Sequence, residues 1–201
     1  MAKPYARNHP GKFGLFIDWE TTGADFGTGK SAERYQGISF GALIVDLETF
    51  EEVESLYREL KFDDNKYEWT EGAAKIHGLT REYLEEHGVS REEALVDLLE
   101  LIDKYIGSSK KITIGGHNIS FDIDFTDQLT KDLADMTLDW HHVQIETSAL
   151  GFVTTGLYKS NDVFQFFGAE KRGEHNALED ARQSLAVARG IRQLVNSALE
   201  A

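Results

Sequence analysis

Three short stretches of this chain place acids where they could do chemistry together. The first is Asp18-Trp19-Glu20, closing the apolar run that begins at Phe13. Alternate residues of a strand share a face, so Asp18 and Glu20 project together about 7 Å apart, with Trp19 on the other side. Two carboxylates at a strand end, followed by the turn Thr21-Thr22-Gly23, are a donor set for a two-metal site: one acid bridges the ions and the second binds one of them. The second stretch is Gly116-His117-Asn118-Ile119-Ser120-Phe121-Asp122, where two glycines lead from a strand into a helix start. Asn118 is placed to cap that helix, Phe121 to pack beneath it, and Asp122 to join the first pair. Asp124 is rotated from Asp122 by roughly 200° and faces away. The third stretch is Gly173-Glu174-His175-Asn176-Ala177-Leu178-Glu179-Asp180-Ala181. On one helix His175 and Asp180 would lie about 140° apart. They converge only if His175 sits on the preceding loop, with Asn176 as N-cap and Asp180 in the first turns.

Holding these groups together requires strand ends and helix starts, and the rest of the pattern supplies both. Phe13–Asp18 reads as a buried strand, and Ile38–Val45 and Val53–Phe62 as two more, joined by the acid-rich turn Asp46–Glu52 into a three-strand meander. Ser90-Arg91-Glu92-Glu93 is a capping-box signature. After it Ala94, Leu95, Leu98, Leu101, Ile102 and Tyr105 recur at helical spacing up to Gly107. Lys111–Ile114 reads as a short strand, Ser120–Leu133 as a helix and His142–Ile145 as the last strand. Residues 176–199 form a long amphipathic helix. Strands first, then alternating helix and strand, make an α/β domain with a mixed sheet flanked by helices. The expected organisation is a basic N-terminal extension over residues 1–12 and one domain over 13–199.

Composition narrows the function classes. The 201 residues are 41% hydrophobic with only 2 Pro, a globular balance that excludes collagen, disorder and low complexity. Apolar runs fall well short of the roughly 18 residues of a membrane span. No basic and then apolar leader opens the chain, so no membrane partner is expected. The absence of Cys removes disulfides, thiolate zinc sites and cysteine nucleophiles, and a cytoplasmic location is the default expectation. Lys+Arg 21 against Asp+Glu 35 gives a net charge of −14, the opposite of a basic phosphate-gripping footprint. That argues against non-specific coating of duplexes. An enzyme that meets phosphates through bound cations is still allowed, because the ion is then the largest local charge. The sign is uneven: the first 17 residues carry Lys3, Arg7 and Lys12 and no acid, and Lys171-Arg172 lies near the other end.

Taken together, Asp18-x-Glu20-Thr21-Thr22-Gly23, His117-Asn118-x-x-Phe121-Asp122 and His175-Asn176-Ala177-Leu178-x-Asp180-Ala181 resemble the three motifs of the DEDDh 3′–5′ exonucleases, DnaQ-like enzymes of ribonuclease H-like fold. Ala73-Ala74-Lys75-Ile76-His77-Gly78-Leu79-Thr80 is similar to a further segment of that family near the substrate. The resemblance spans roughly residues 13–195. It implies that Asp18, Glu20, Asp122 and Asp180 are metal ligands, that His175 is the general base, and that Thr21, Thr22, His77 and Asn118 lie against the substrate. It further implies two Mg²⁺ or Mn²⁺ ions, single-stranded DNA or RNA 3′ ends as substrate, nucleoside monophosphates as product, and a homodimer as in many relatives of this size. Crowded carboxylates repel and retain protons without cations. Two ions about 3.5–4 Å apart remove that penalty and clamp the scissile phosphate, and oxygen ligands suit such hard ions. Departures from the pattern are Trp19 between the first two acids, Ser39 where relatives carry Glu or Gln, and a long Gly-rich segment over residues 23–36.

Two rival readings start from other residues. Ala24-Asp25-Phe26-Gly27-Thr28-Gly29-Lys30-Ser31 nearly satisfies the P-loop pattern of nucleotide triphosphatases. It lacks the first Gly, and no helix is expected to open at Lys30-Ser31. The other rival is a catalytically inactive exonuclease fold serving as a nucleic-acid-binding module, which the retention of all four acids and His175 disfavours.

Overall fold

The computed structural model describes residues 10–25, 30–169 and 175–200. Most of the basic extension, Phe26–Gly29 of the P-loop-like stretch, Lys171-Arg172, and Gly173 and Glu174 of the third motif lie outside them. β1 (Phe13–Thr21), β2 (Gly37–Asp46) and β3 (Glu52–Glu59) form the expected antiparallel meander. β4 (Ile114–Gly116) and β5 (Ile145–Glu146) add in parallel beyond β1, giving the order β3-β2-β1-β4-β5. The helices are α1 (Ser31–Arg34), α2 (Glu71–His77), α3 (Arg81–His87), α4 (Arg91–Tyr105), α5 (Ile119–Ala134), α6 (Thr147–Thr155), α7 (Ser160–Phe166) and α8 (Ala177–Glu200). No helix among the described residues is long and apolar enough to cross a membrane.

Alternation along β1 divides its side chains between two layers. Leu15, Ile17 and Trp19 join Phe40, Leu98, Phe125 and Leu129 in a core beneath α4 and α5. Phe16, on the other face, packs with Leu43, Val45, Ala181 and Leu185 beneath α8. Asp18 and Glu20 share the parity of Phe16 and therefore belong to the α8 side. α6 and α7 pack against α8 in turn, with Val163, Phe164 and Val187 buried between α7 and α8.

The short strands differ from their sequence expectation. Lys111–Ile114 is shifted: the strand is Ile114–Gly116, and Ile112 makes only an isolated bridge to Trp140. The last strand is Ile145–Glu146 rather than His142–Ile145, with His142 exposed ahead of it. β3 stops at Glu59, where Leu60 leaves the ladder to bridge Val89. Such strands are too short to carry a period of their own. A single helical turn, α1, does open at Ser31, against expectation, but its four residues are not the helix a P-loop requires. Among the aromatics, Phe125 and Phe164 are buried, Trp69 is half-buried and Tyr158 is exposed.

One close approach sets the distance between α8 and the sheet. Gly41 pairs with Asp18 across β1 and β2, and a Cβ built on it would lie 2.2 Å from Leu178 Cα and 2.3 Å from Leu178 N. The first turn of α8 rests directly on that glycine. Gly41→Ala should therefore push the start of α8 off the sheet and destabilise the protein by about 1–3 kcal/mol, the usual effect of overpacking. Urea unfolding of the variant measures the loss, and an unchanged midpoint contradicts the contact.

Candidate active site

β4 is three residues long, and its end decides where Asp122 goes. Leu15 N donates to the Thr113 carbonyl on the β4 side. Trp19 has the same parity, but β4 has ended before reaching it, which leaves its N–H without a strand partner. Asp122, in the first turn of α5, takes it: Trp19 N donates to Asp122 Oδ1 at 3.0 Å. The indole Nε1 donates to Thr126 Oγ1 at 2.9 Å, and the Thr126 hydroxyl donates to the Asp122 carbonyl at 2.7 Å. Trp19, the bulky residue between the first two acids, thus fastens two turns of α5 to β1. Its ring packs 4.8 Å from Phe40 and fits because Gly37 has no Cβ to meet it. No spacing rule points to this clamp, since the tie to Asp122 is a backbone N–H 103 residues away.

Asn118 does not cap α5. It adopts a left-handed conformation (φ 61°) with no side-chain cap bond. Glu146 performs that role: its carboxylate accepts from Asn118 N at 3.0 Å, Ile119 N at 2.8 Å and Ser148 N at 2.9 Å, capping α5 and α6 together. The sequence carries no signal for this, because the two segments meet only through the β4–β5 pairing. At α8 the expected arrangement holds. Asn176 Oδ1 accepts from Leu178 N and Glu179 N, and His175 lies just before the helix. His175 Nδ1 is 3.2 Å from Asp180 Oδ2 and 4.0 Å from Glu20 Oε1. Glu20, His175 and Asp180 each offer a ligand atom within 4.8 Å of the other two. Asp18 is half-buried, on the same face of β1 as Glu20.

The substrate-side expectations divide. His77 ends α2, is buried, and accepts from Leu79 N through Nδ1 at 3.1 Å. Burial pushes its pKa down, with the Thr21 backbone carbonyl opposing and the nearby His175 adding to the fall. The Ile76 carbonyl accepts from His175 N at 3.1 Å, tying this segment to the His175 loop. Thr21 is buried and donates to the Gly23 carbonyl. Thr22 is turned wholly inward, donating to the Glu68 carbonyl at 2.5 Å and accepting from Gln36 N at 3.0 Å. Its side chain ties the turn after β1 to the segments at Gln36 and Glu68.

The electrostatics are those of an acid cluster. Glu20, Asp122 and Asp180 are all buried. Burial holds the Asp122 carboxyl well above the ordinary carboxylate range; the Trp19 N–H opposes this, and the charges of Glu146 and Glu20 add to it. An oxygen-rich, buried set that retains a proton when alone fits a hard divalent cation, whose charge would remove the reason for retaining it.

Comparison with known proteins agrees with this geometry. Residues 15–188 match the exonuclease family model RNase_T, and the chain belongs to that family. Among solved structures, Escherichia coli exonuclease I in complex with a dT13 oligonucleotide is 18% identical with a TM-score of 0.73, over 94% of this chain and 43% of that one. A 3′-exonuclease recognising the histone mRNA stem-loop is 15% identical with a TM-score of 0.68, over 94% of this chain and 84% of that one. These likenesses establish the ribonuclease H-like fold. The chain spans about two fifths of the length of the exonuclease I structures. No curated protein matches it.

A raised Asp122 pKa has a measurable consequence. Below about pH 4, the ordinary aspartate value, the group is protonated both folded and unfolded and carries no penalty. As pH rises the unfolded chain ionises first, so folding loses stability until the folded pKa is passed. Asp122→Asn keeps an acceptor for Trp19 N and removes the charge. In chelator near pH 8 it should melt above the wild type, with the gap closing as pH falls toward about 4. A variant that melts lower at every pH contradicts this.

Proposed function

We propose that the protein removes nucleoside monophosphates one at a time from the 3′ end of single-stranded DNA or RNA, using two Mg²⁺ or Mn²⁺ ions. The observation that carries this reading is the convergence of Glu20, Asp180 and His175 within 4.8 Å, on the strand end where Trp19 N holds Asp122. Asp18, Glu20, Asp122 and Asp180 would hold the ions, which when bound neutralise the acids and polarise the scissile phosphate. His175 Nδ1 faces Asp180, which orients the ring and leaves Nε2 as the atom that accepts the proton of the attacking water. The Ile76 carbonyl fixes the His175 backbone. Thr21, Thr22, His77 and Asn118 would lie against the terminal nucleotide. Family membership supports exonuclease chemistry and disfavours the nucleotide triphosphatase. A cytoplasmic location and a homodimer complete the proposal.

The cluster of Glu20, His175 and Asp180 also favours a second reading, in which His175 is itself a ligand. Asp180→Ala and His175→Ala separate the two. Asp180→Ala should lose the metal-induced rise in melting temperature and nearly all activity. His175→Ala should keep the thermal rise while its rate falls about 10²–10⁴-fold, the usual contribution of a positioned general base. Loss of the thermal rise in His175→Ala makes it a ligand.

The direction and the strand are tested on 5′-end-labelled single-stranded DNA and RNA of equal sequence with Mg²⁺. A ladder shortening from the 3′ end is expected, with blunt duplex cut more slowly because the acidic surface is unsuited to opening it. Release of the label as the first product, or full activity in excess chelator, refutes the proposal.

A further inference from the structure

At the opposite end of β1 from the acids lies a cleft of about 500 Å³ bordered by Lys12, Phe13, Tyr105, Lys110, Lys111 and His141. Among the described residues no carboxylate lines it, in a chain where Asp+Glu outnumber Lys+Arg 35 to 21. The contrast with the cleft beside α5 is sharp. There Lys66 and Lys131 share the walls with Asp124, Asp127 and Asp132, and pair with Asp132 at 2.6 Å and Asp127 at 3.6 Å. In the β1 cleft only Lys111 is paired, with Asp139 at 3.3 Å on an exposed rim. Among the described residues Lys110 has no ion pair, and Lys12 makes none within 4.0 Å, though its charge helps hold the nearby Asp46 carboxyl below its ordinary range. His141 Nδ1 accepts from Val143 N at 3.0 Å, which leaves the ring proton on Nε2 as a donor.

The apolar wall is aromatic. Phe13 and Tyr105 meet edge to face at 5.6 Å, and Lys12 Nζ lies 4.8 Å from the Phe13 ring centre. Gly11 and Lys12, the last residues of the basic extension read from the sequence, line this cleft, as does His141. Neither feature has a place in the active site.

We infer that this cleft binds the phosphate backbone of single-stranded nucleic acid, at a point upstream of the 3′ end held in the active site. Exposed cations beside aromatic rings are the combination that grips single strands, with phosphates on the lysines and base faces on the rings. Phe13 and Glu20 are seven residues apart on β1, so the cleft lies roughly 23 Å from the acids along the strand. The spacing is odd, which puts the cleft toward the other face of the sheet, so a bound strand must pass around the sheet edge. A trinucleotide bound at the active site does not reach that far. A strand of about twelve nucleotides, within the usual site sizes of single-strand binders, does. The inference rests on the proposed exonuclease reading, and its test is built so that the two can fail separately.

The test uses Lys12→Ala/Lys110→Ala, both exposed and outside the acid site, with Lys66→Ala/Lys131→Ala as a control of equal charge change. Binding of a 5′-fluorescein-labelled deoxythymidine dodecamer is followed by anisotropy in chelator over a salt series. Turnover of dodecamer and trinucleotide is followed with Mg²⁺. Losing two phosphate contacts should flatten the slope of log Kd against log salt by about 1.4, and weaken dodecamer binding roughly 25-fold near 0.1 M salt. Trinucleotide turnover and the control variant should be unchanged. Dodecamer binding equal to wild type, or an equal loss in the control, overturns the inference. So does retention by phosphatidylserine vesicles that depends on Lys12 and Lys110 while dodecamer binding does not, since the cleft would then read a membrane surface. If the wild type cuts neither oligonucleotide, the exonuclease reading falls, and the anisotropy still decides the cleft.

Discussion

The structure is organised around an electrostatic problem: several carboxylates must be buried side by side. Glu20, Asp122 and Asp180 come from β1, α5 and α8, and each is nearly inaccessible to water. Like charges in a medium of low dielectric repel far more strongly than at a surface, so nothing local would bring these groups together. The fold brings them together by packing that lies elsewhere. Apolar layers on both faces of β1 fix the strand, Gly41 lets α8 lie directly against β2, and the Trp19 clamp holds the first turns of α5. The acid cluster is thus a strained feature maintained by cores that contain no acid. Function at such a site is set against stability, as is common where charges are pre-positioned for catalysis.

That division explains what could be read in the sequence. The acids were legible because each is announced by a local pattern. Alternation in Asp18-Trp19-Glu20, a helix start before Asp122 and the Asn176 cap before Asp180 each state which way a side chain faces. The His175–Asp180 geometry was legible for the same reason, since five residues of separation on one helix cannot give the 3.2 Å approach and a loop with a cap can. Long elements with a strong period, such as α4 behind Ser90 and the 24-residue α8, likewise declare themselves.

What was not legible depends on contacts between distant segments. Asn118 looks like a cap in its local context, and only the arrival of Glu146 on β5 removes that role. Thr22 looks like part of an exposed turn until Gln36 and Glu68 close over it. α2, α3 and α6 carry too few turns to show a period, and their place follows from tertiary packing: Arg81 lies over the rings of both Phe62 and Trp69. The basic cleft is another instance. Lys110 and Lys111 are unremarkable where they stand in the chain, and their common setting with Lys12 and His141 appears only once the loops at one end of the sheet are assembled.

Glu146 carries a consequence for how the molecule breathes. One carboxylate ends two helices, and the α5 cap lies 27 and 28 residues from it in the chain. β5 is two residues long and α6 nine, a small unit of the kind that opens locally at less than the free energy of global unfolding. Each time it detaches, Asn118 and Ile119 lose their acceptor, and Asn118 loses what holds it in a left-handed conformation. The first turn of α5, where Asp122 sits, is then held by the Trp19 clamp alone. The order of the acid site thus rests on two ties of different reach, the Trp19 clamp to β1 and the Glu146 cap from β5.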